Sequence, residues 1–460
     1  IAIFSQNWFR LSDPTKAERF IQKLEENEPI QELASSPLLL TLLCLVFGES
    51  ADFPANRSEL YKEGLDILLK KWDGKRNIER EQLYKNLSLK RKEDLLSQIA
   101  LTTFEQKDYF FKQKMLEAYI SDFIRNLPNV DSDPEILRMD SEAVLKSIEA
   151  QHGLFVERAK SIYSFSHLTF QEYFAAKEIV ANSAYKNLVK HLTEKRWREV
   201  FLLTANMMRN ADDLLRLMKQ SVDKMLAADK KLQQFLSWVD QKSSSVEVHW
   251  KPATVRAFYF SLNRAYEDGC EHFANNTDYE SDDDEPTINF PSHRPNLACA
   301  LNCEAIDEFL SAALALDLRI DSNLTEYLSF SYSRAISIFR YLARGLTCYL
   351  NGNLKSATRC RLQEIKDQLS DSLVRREEFE RWWLENGQTW TEQFRAAIVE
   401  HRNIGHDWQF SDEQNQLLEQ YYDANKLLVD CLNSDCYVSR DVRQEIEDTL
   451  LLPMSEIDRG

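Results

Sequence analysis

The stretch that decides the fold is residues 153–176, GLFVERAKSIYSFSHLTFQEYFAA. Residues 153–157 and 162–165 carry apolar, aromatic and β-branched side chains around the short polar segment 158–161, which predicts a strand, a turn and a second strand. A helix is predicted to resume at Leu168 and to run to about Val180. His167 then lies at the junction between strand and helix. The residues alone favour a structural role for it, with its ring nitrogens hydrogen-bonded within the fold.

Helical segments surround this hairpin. Upstream, two helices are predicted within 91–127 and a third from about Asp140 to Gln151, and three helices followed by a hairpin is winged-helix order. Further upstream we predict helices over 13–26, from Ser36-Pro37 to a stop at Gly48, and from Ser58 to Trp72. Downstream the pattern is helical throughout, including one helix over 212–238 and another over 412–432 that begins with the capping box Ser411–Gln414.

The composition favours the same fold class. Ten glycines in 460 residues are about 2%, against a usual ~7%, and the eleven prolines are also few. A chain so poor in turn formers is predicted to be mostly α. We expect a first helical domain over 1–48, a winged helix with a small β-hairpin over 58–182, and an all-helical C-terminal region over 186–460, which could divide again near residue 245.

The charge and the apolar runs exclude several classes. The net charge of −17 argues against a dedicated nucleic-acid binder, because phosphate neutralisation favours a basic surface. The longest apolar run, Leu38 to Phe47, is far shorter than a membrane span. Eight scattered cysteines in a long acidic chain predict reduced thiols and a cytoplasmic location.

The sequence predicts neither a catalytic nor a metal site. The single Gly-Lys pair, Gly74-Lys75, lacks both the upstream glycine and the following hydroxyl of a P-loop, so the chain has no phosphate-binding loop of that kind. Cys299 and Cys303 could share a helical face, but C-x-x-C pairs are absent, and we expect no zinc site.

Several segments resemble the NACHT-family STAND NTPases, a class that includes animal NLR proteins and many bacterial NACHT proteins. Residues 163–176 resemble the end of their winged-helix domain, and residues 35–44, SSPLLLTLLC, resemble their first helical domain. Residues 400–453 resemble an all-helical domain attached to NACHT NTPases of bacterial conflict systems, especially cyanobacterial ones.

The resemblance implies two nucleotide contacts. In the family, the proline matching Pro37 packs near the adenine, and the histidine matching His167 contacts the β-phosphate of ADP. An imidazole can donate a hydrogen bond to a phosphate oxygen, which gives a physical reason for histidine at that position. The implied cofactor is ADP or ATP with Mg²⁺ in the full-length parent, and none for the isolated fragment.

The resemblance also implies a place within a larger protein. The Walker A and Walker B segments of such proteins precede the part that resembles this chain, so we expect a nucleotide-binding domain before Ile1 and no nucleotide hydrolysis by the chain alone. The expected partners are that domain, an unknown trigger ligand (protein or nucleic acid) and further copies of the parent on activation, with no membrane. The expected role is a switch in antiviral defence that closes over ADP at rest.

Two other functions stay open on the sequence. A winged helix can bind nucleic acid, and Lys85, Lys90, Arg91 and Lys92 form a local basic cluster that could support this. Alternatively, the helical chain could be a protein-interaction scaffold with no link to nucleotide.

Overall fold

A computed structural model of the chain describes residues 1–10, 13–26, 30–31, 34, 37–54, 57–71, 88–127, 133–149, 154–245, 251–261, 356–368, 408–457 and isolated positions between 382 and 406. These residues are mostly helical, with one three-stranded sheet, and the predicted fold class is confirmed. They form two compact units. The first holds Ile1–Met218 and Asp430–Ser439, and the second holds Lys219–Val429 and Arg440–Gly460. The predicted limits of the three regions stay predictions.

The first unit begins with helices α1 (Ala2–Phe9), α2 (Thr15–Glu25), α3 (Pro37–Ser50) and α4 (Arg57–Lys71). The ring centroids of neighbouring phenylalanines from α1, α2, α3 and the segment after α3 lie 5.1–6.2 Å apart. The predicted stop at Gly48 is wrong, because α3 continues to Ser50 and the residue with left-handed backbone is Ala51 (φ 57°).

The winged-helix region follows in the order α5 (Leu89–Glu105), β1 (Phe111–Lys112), α6 (Gln113–Arg125), α7 (Pro134–Ser147), β2 (Phe155–Ala159), β3 (Ile162–Phe165) and α8 (Leu168–Ala181). The strands form an antiparallel sheet in the order β1-β3-β2, with Phe111 opposite Tyr163 and Phe155 opposite Phe165. The predicted hairpin is confirmed. Strand β1, from the aromatic run before α6, adds a third strand that the sequence pattern does not show.

Helix α7 begins earlier than predicted. The sequence placed its start near Asp140, whereas the helix begins at Pro134. Asp133 is the cause, because its carboxylate accepts hydrogen bonds from the backbone N–H groups of Glu135 and Ile136, at 2.8 and 3.3 Å. An aspartate cap followed by proline in the first turn is a favourable helix start.

After α8 the first unit continues through α9 (Tyr185–Leu188), α10 (Arg198–Met207) and the start of α11 (Asp212–Leu226). The segment Asp430–Ser439, far along the chain, also belongs to this unit. The Ser439 N–H donates to Asp212 Oδ1 at 2.8 Å, and Arg198 forms an ion pair with Asp430 at 2.9 Å. Polar contacts therefore hold this distant segment beside α10 and α11.

The second unit contains the end of α11, α12 (Lys230–Ser244), a helical stretch over 252–261, α13 (Ser356–Asp367), most of α14 (Asp412–Asn433), α15 (Arg440–Thr449) and α16 (Met454–Ile457). The residues of α14 from Asp430 onward belong to the first unit. The predicted helix over 212–238 is in fact two helices. Asp229 starts the second of them, since its Oδ1 accepts from the backbone N–H groups of Lys231 and Leu232 at 2.9 and 3.0 Å.

The predicted capping box at the start of α14 is confirmed. The Ser411 N–H donates to Gln414 Oε1 at 3.1 Å, and the Gln414 N–H donates to Ser411 Oγ at 3.3 Å. The helical pattern of the sequence also predicts helices over 304–316 and 324–350, and these lie outside the described residues.

In the second unit, the Arg256 side chain caps the C-terminal end of α15. Its side chain is buried, its Nε donates to the Leu450 carbonyl at 2.7 Å, and its Nη2 donates to the Asp448 carbonyl at 2.6 Å. The last carbonyls of a helix have no partner within the helix, so the guanidinium supplies donors that α15 itself cannot.

We expect Arg256→Ala to lower the free energy of unfolding by about 3 kcal/mol, because it leaves buried carbonyls without donors. Lys251→Ala is the matched control. Lys251 is 54% exposed in its ion pair with Glu447, and its loss should cost less than about 1 kcal/mol. Urea unfolding followed by circular dichroism measures both, and equal losses would contradict the capping role.

Two helical glycines offer a second test. A Cβ at Gly64 in α4 would lie 2.8 Å from Leu42 Cδ2 of α3, whereas a Cβ at Gly48 would meet only Phe9 at 3.8 Å. Alanine gains about 1 kcal/mol of helix propensity at either site, but overpacking costs roughly 1–3 kcal/mol. Gly64→Ala should therefore be less stable than Gly48→Ala in urea unfolding, and the reverse order would show that α3 and α4 are not closely packed.

Candidate functional site

His167 lies between β3 and α8, at the N-cap position of α8. Its side chain is exposed, its backbone is extended (φ −138°, ψ 140°), and it makes no capping hydrogen bond to the helix. Its ring contacts the Phe170 ring edge-on, with 5.9 Å between the centroids. The residues alone favoured a histidine whose ring nitrogens are hydrogen-bonded within the fold. The structure differs, because no hydrogen bond to the ring is found within the described part of the chain.

The start of α8 has the electrostatics of an anion site. The first N–H groups of a helix lack partners within the helix, and the helix dipole adds partial positive charge there. Phosphates and carboxylates commonly bind at such ends. The exposed imidazole adds a donor at this helix start.

Arg158 approaches the same junction from β2. Glu157 pairs with Tyr163 and Ala159 pairs with Ile162, although Tyr163 and Ile162 are adjacent in β3. Arg158 is therefore the extra residue of a β-bulge in β2. Its Nε donates to Ser164 Oγ and its Nη2 donates to the Ser166 carbonyl, both at 2.9 Å. The sequence placed Arg158 in the polar turn and gave it no role. A bulge leaves no sequence signature of its own, so this residue was missed.

The two basic groups influence one another. Partial burial lowers the pKa of His167 below its ordinary value, and the nearby Arg158 guanidinium lowers that pKa further. At neutral pH the imidazole is therefore mainly uncharged, with one N–H to donate. An anion bound between the two groups would favour the imidazolium and raise the pKa of His167.

Pro37 occupies the first position of α3 and is exposed. Its carbonyl accepts from Thr41 Oγ1 at 2.8 Å, while the predicted capping residue Ser36 lies outside the described residues. Pro37 and His167 belong to the same unit, at the starts of different helices. The structure shows no direct contact between them among its described residues.

Helix α4 connects the helices that carry these two residues. Gly64 of α4 lies against Leu42 of α3, and Tyr61 of α4 contacts Tyr173 of α8, with 5.8 Å between ring centroids. The starts of α3 and α8 are thus parts of one packed unit.

The basic cluster proposed for nucleic-acid binding is not a continuous surface. Lys92 is buried, Arg91 pairs with Asp94 at 3.7 Å, and Lys85 lies outside the described residues. Helix α7, the second helix of the helix-turn-helix pair and the usual groove-reading element, exposes Glu135, Ile136, Arg138 and Met139. This mixture of charges and apolar side chains does not form a basic face.

The cysteines considered for zinc, Cys299 and Cys303, lie outside the described residues. Across the part of the chain that the structure describes, no three His, Cys, Asp or Glu side chains are grouped to hold a metal ion. The same part contains no helix with the length and apolarity of a membrane span.

Comparison with known families gives two matches. Residues 57–179 match the winged helix-turn-helix domain C-terminal to NACHT, and residues 358–453 match NACHT C-terminal helical domain 2. Searches of curated proteins and of solved structures give no match.

Both matched models describe domains that accompany a NACHT domain. The two matches are consistent with the C-terminal part of a NACHT protein, as the sequence resemblance implied. A NACHT domain within the same protein is therefore its implied partner. The match to the C-terminal helical domain begins at residue 358, whereas the resemblance seen in the sequence began at residue 400.

The coupling between Arg158 and His167 can be measured directly. Arg158→Gln removes a positive charge, so the pKa of His167 should rise, while burial keeps it below the ordinary 6.5. Histidine NMR titration of the chain measures this pKa, with His167→Ala to assign the signal. Lys160→Gln, in the exposed turn after β2, is the charge-matched control. An unchanged pKa in Arg158→Gln would show that the groups do not interact.

Proposed function

We propose that this chain is the regulatory and sensor portion of a NACHT STAND NTPase, a signalling switch of a defence system. In the resting state it closes over ADP held by the NACHT domain. When a ligand is sensed, it releases and the full-length protein assembles into a homo-oligomer. The observation that carries the proposal is His167, exposed at the uncapped start of α8 within a domain of the NACHT-associated winged-helix class.

The residues at this site fit a nucleotide phosphate. The neutral imidazole of His167 can donate one hydrogen bond to a β-phosphate oxygen, and the first turn of α8 favours negative charge beside it. Pro37, exposed at the start of α3, offers an apolar surface for the adenine. ADP or ATP with Mg²⁺ would be held chiefly by the NACHT domain, where hydrolysis would take place, and this chain would supply one side of the closed site.

A contact of this kind acts as a switch only through differential affinity. ADP stabilises the closed state because His167 reaches the phosphate there and not in the open state. By linkage, whatever stabilises the open state weakens ADP binding by the same factor. We propose that the helical region over 186–460 binds a protein or nucleic-acid trigger in the cytoplasm and thereby favours the open state.

His167→Ala in the full-length protein tests the proposal. A hydrogen bond to a charged group contributes about 1.5–3 kcal/mol, so ADP should be released roughly 10- to 100-fold faster. His167→Gln keeps a donor and should retain part of the affinity, and Lys160→Gln should have no effect. Retention of radiolabelled ADP on gel filtration measures the loss.

Two results would contradict the switch. Unchanged ADP retention and unchanged resting assembly in His167→Ala would remove the role of the histidine. Equal ADP retention by the NACHT domain with and without this chain would support the helical scaffold instead, since a scaffold has no nucleotide contact.

A further inference from the structure

The bulge in β2 turns the Arg158 side chain in a direction that it would not have in a regular strand. In a regular strand, successive side chains alternate between the faces of the sheet, and a bulge re-aims the side chain at the extra residue. Arg158 is that residue, and its guanidinium reaches the Ser166 carbonyl, one residue before His167. Lys160, two positions later in the exposed turn, makes no such contact in the described structure.

Two hydrogen bonds hold the guanidinium in place. Nε and Nη2 bond Ser164 Oγ and the Ser166 carbonyl, whereas Nη1 has no partner among the described residues. Ser164 is buried, so one of the two anchors is fixed by the sheet. The arrangement keeps one pair of N–H donors available beside the start of α8.

Bracing the junction does not require the positive charge of Arg158. A brace between a serine and a carbonyl needs only a neutral donor, and a second cation beside an imidazole works against protonation of that imidazole. An anion between the two groups would offset the repulsion between guanidinium and imidazolium, because both groups would donate hydrogen bonds to it.

We propose that Arg158 is a second phosphate ligand beside His167, donating through Nη1 to the terminal phosphate of a bound nucleoside diphosphate. This inference rests on the proposed function and adds a residue that reads the β-phosphate. It predicts that the chain distinguishes a diphosphate from a monophosphate, since AMP has no phosphate within reach of this pair.

The experiment compares ADP and AMP affinities of the full-length, nucleotide-stripped protein by isothermal titration calorimetry. The variants are Arg158→Gln, His167→Ala, their double mutant and Lys160→Gln. We expect Arg158→Gln to bind ADP about tenfold more weakly and AMP unchanged, and Lys160→Gln to match the wild type. The double mutant should bind ADP more weakly than either single mutant, because each residue makes its own contact. Circular dichroism melting of each variant checks that the fold is retained.

The outcomes separate this inference from the proposed switch. If His167→Ala weakens ADP binding and Arg158→Gln does not, the inference is overturned and the switch stands. If the double mutant is no weaker than His167→Ala, Arg158 acts only by positioning His167, and the inference is again overturned. An equal loss for AMP and ADP would overturn it too, whereas normal ADP binding by both single mutants would overturn the switch as well.

Discussion

The burial of α8 is the constraint on which the candidate site depends. Its sequence has apolar side chains on most sides, and a helix of that kind must be covered by other elements. Helices α5 and α10 cover it, and the side chains of Phe170, Phe174 and Ile179 are buried. Because the body of α8 is fixed in the core, its first turn is fixed at the surface, and the His167 ring is held there by its edge-on contact with the buried Phe170.

Polar contacts within this core set how α8 lies against α5. The buried Gln171 amide donates to Thr103 Oγ1 at 2.9 Å, and Lys177 forms an ion pair with Glu93. Apolar packing alone is tolerant of small shifts along a helix axis, whereas a buried amide without a partner is costly. The hydrogen bond therefore favours one register, and that register determines where the start of α8 meets β3 and the bulge in β2.

Local charge matters more here than net charge. The chain carries −17 overall, yet the junction between β2, β3 and α8 brings together a guanidinium, an imidazole and a helix N-terminus. The converse holds for the basic cluster near α5, where Lys92 is buried and Arg91 is paired. Counting charges along the sequence therefore overestimated the positive charge of the surface near α5. The same count did not indicate the positive charge at the start of α8.

The sequence by itself determined the features that depend on neighbours along the chain. The hairpin, the start of α8, the capping box at Ser411 and the family resemblance around His167 all follow from residues a few positions apart. Only the tertiary structure decided the pairing of β1 with β3, the bulge that turns Arg158, the burial of Lys92 and the return of Asp430–Ser439 to the first unit. The physical reason is range: capping and periodicity act within a few residues, whereas strand register, bulges and side-chain burial are set by packing between positions far apart in sequence.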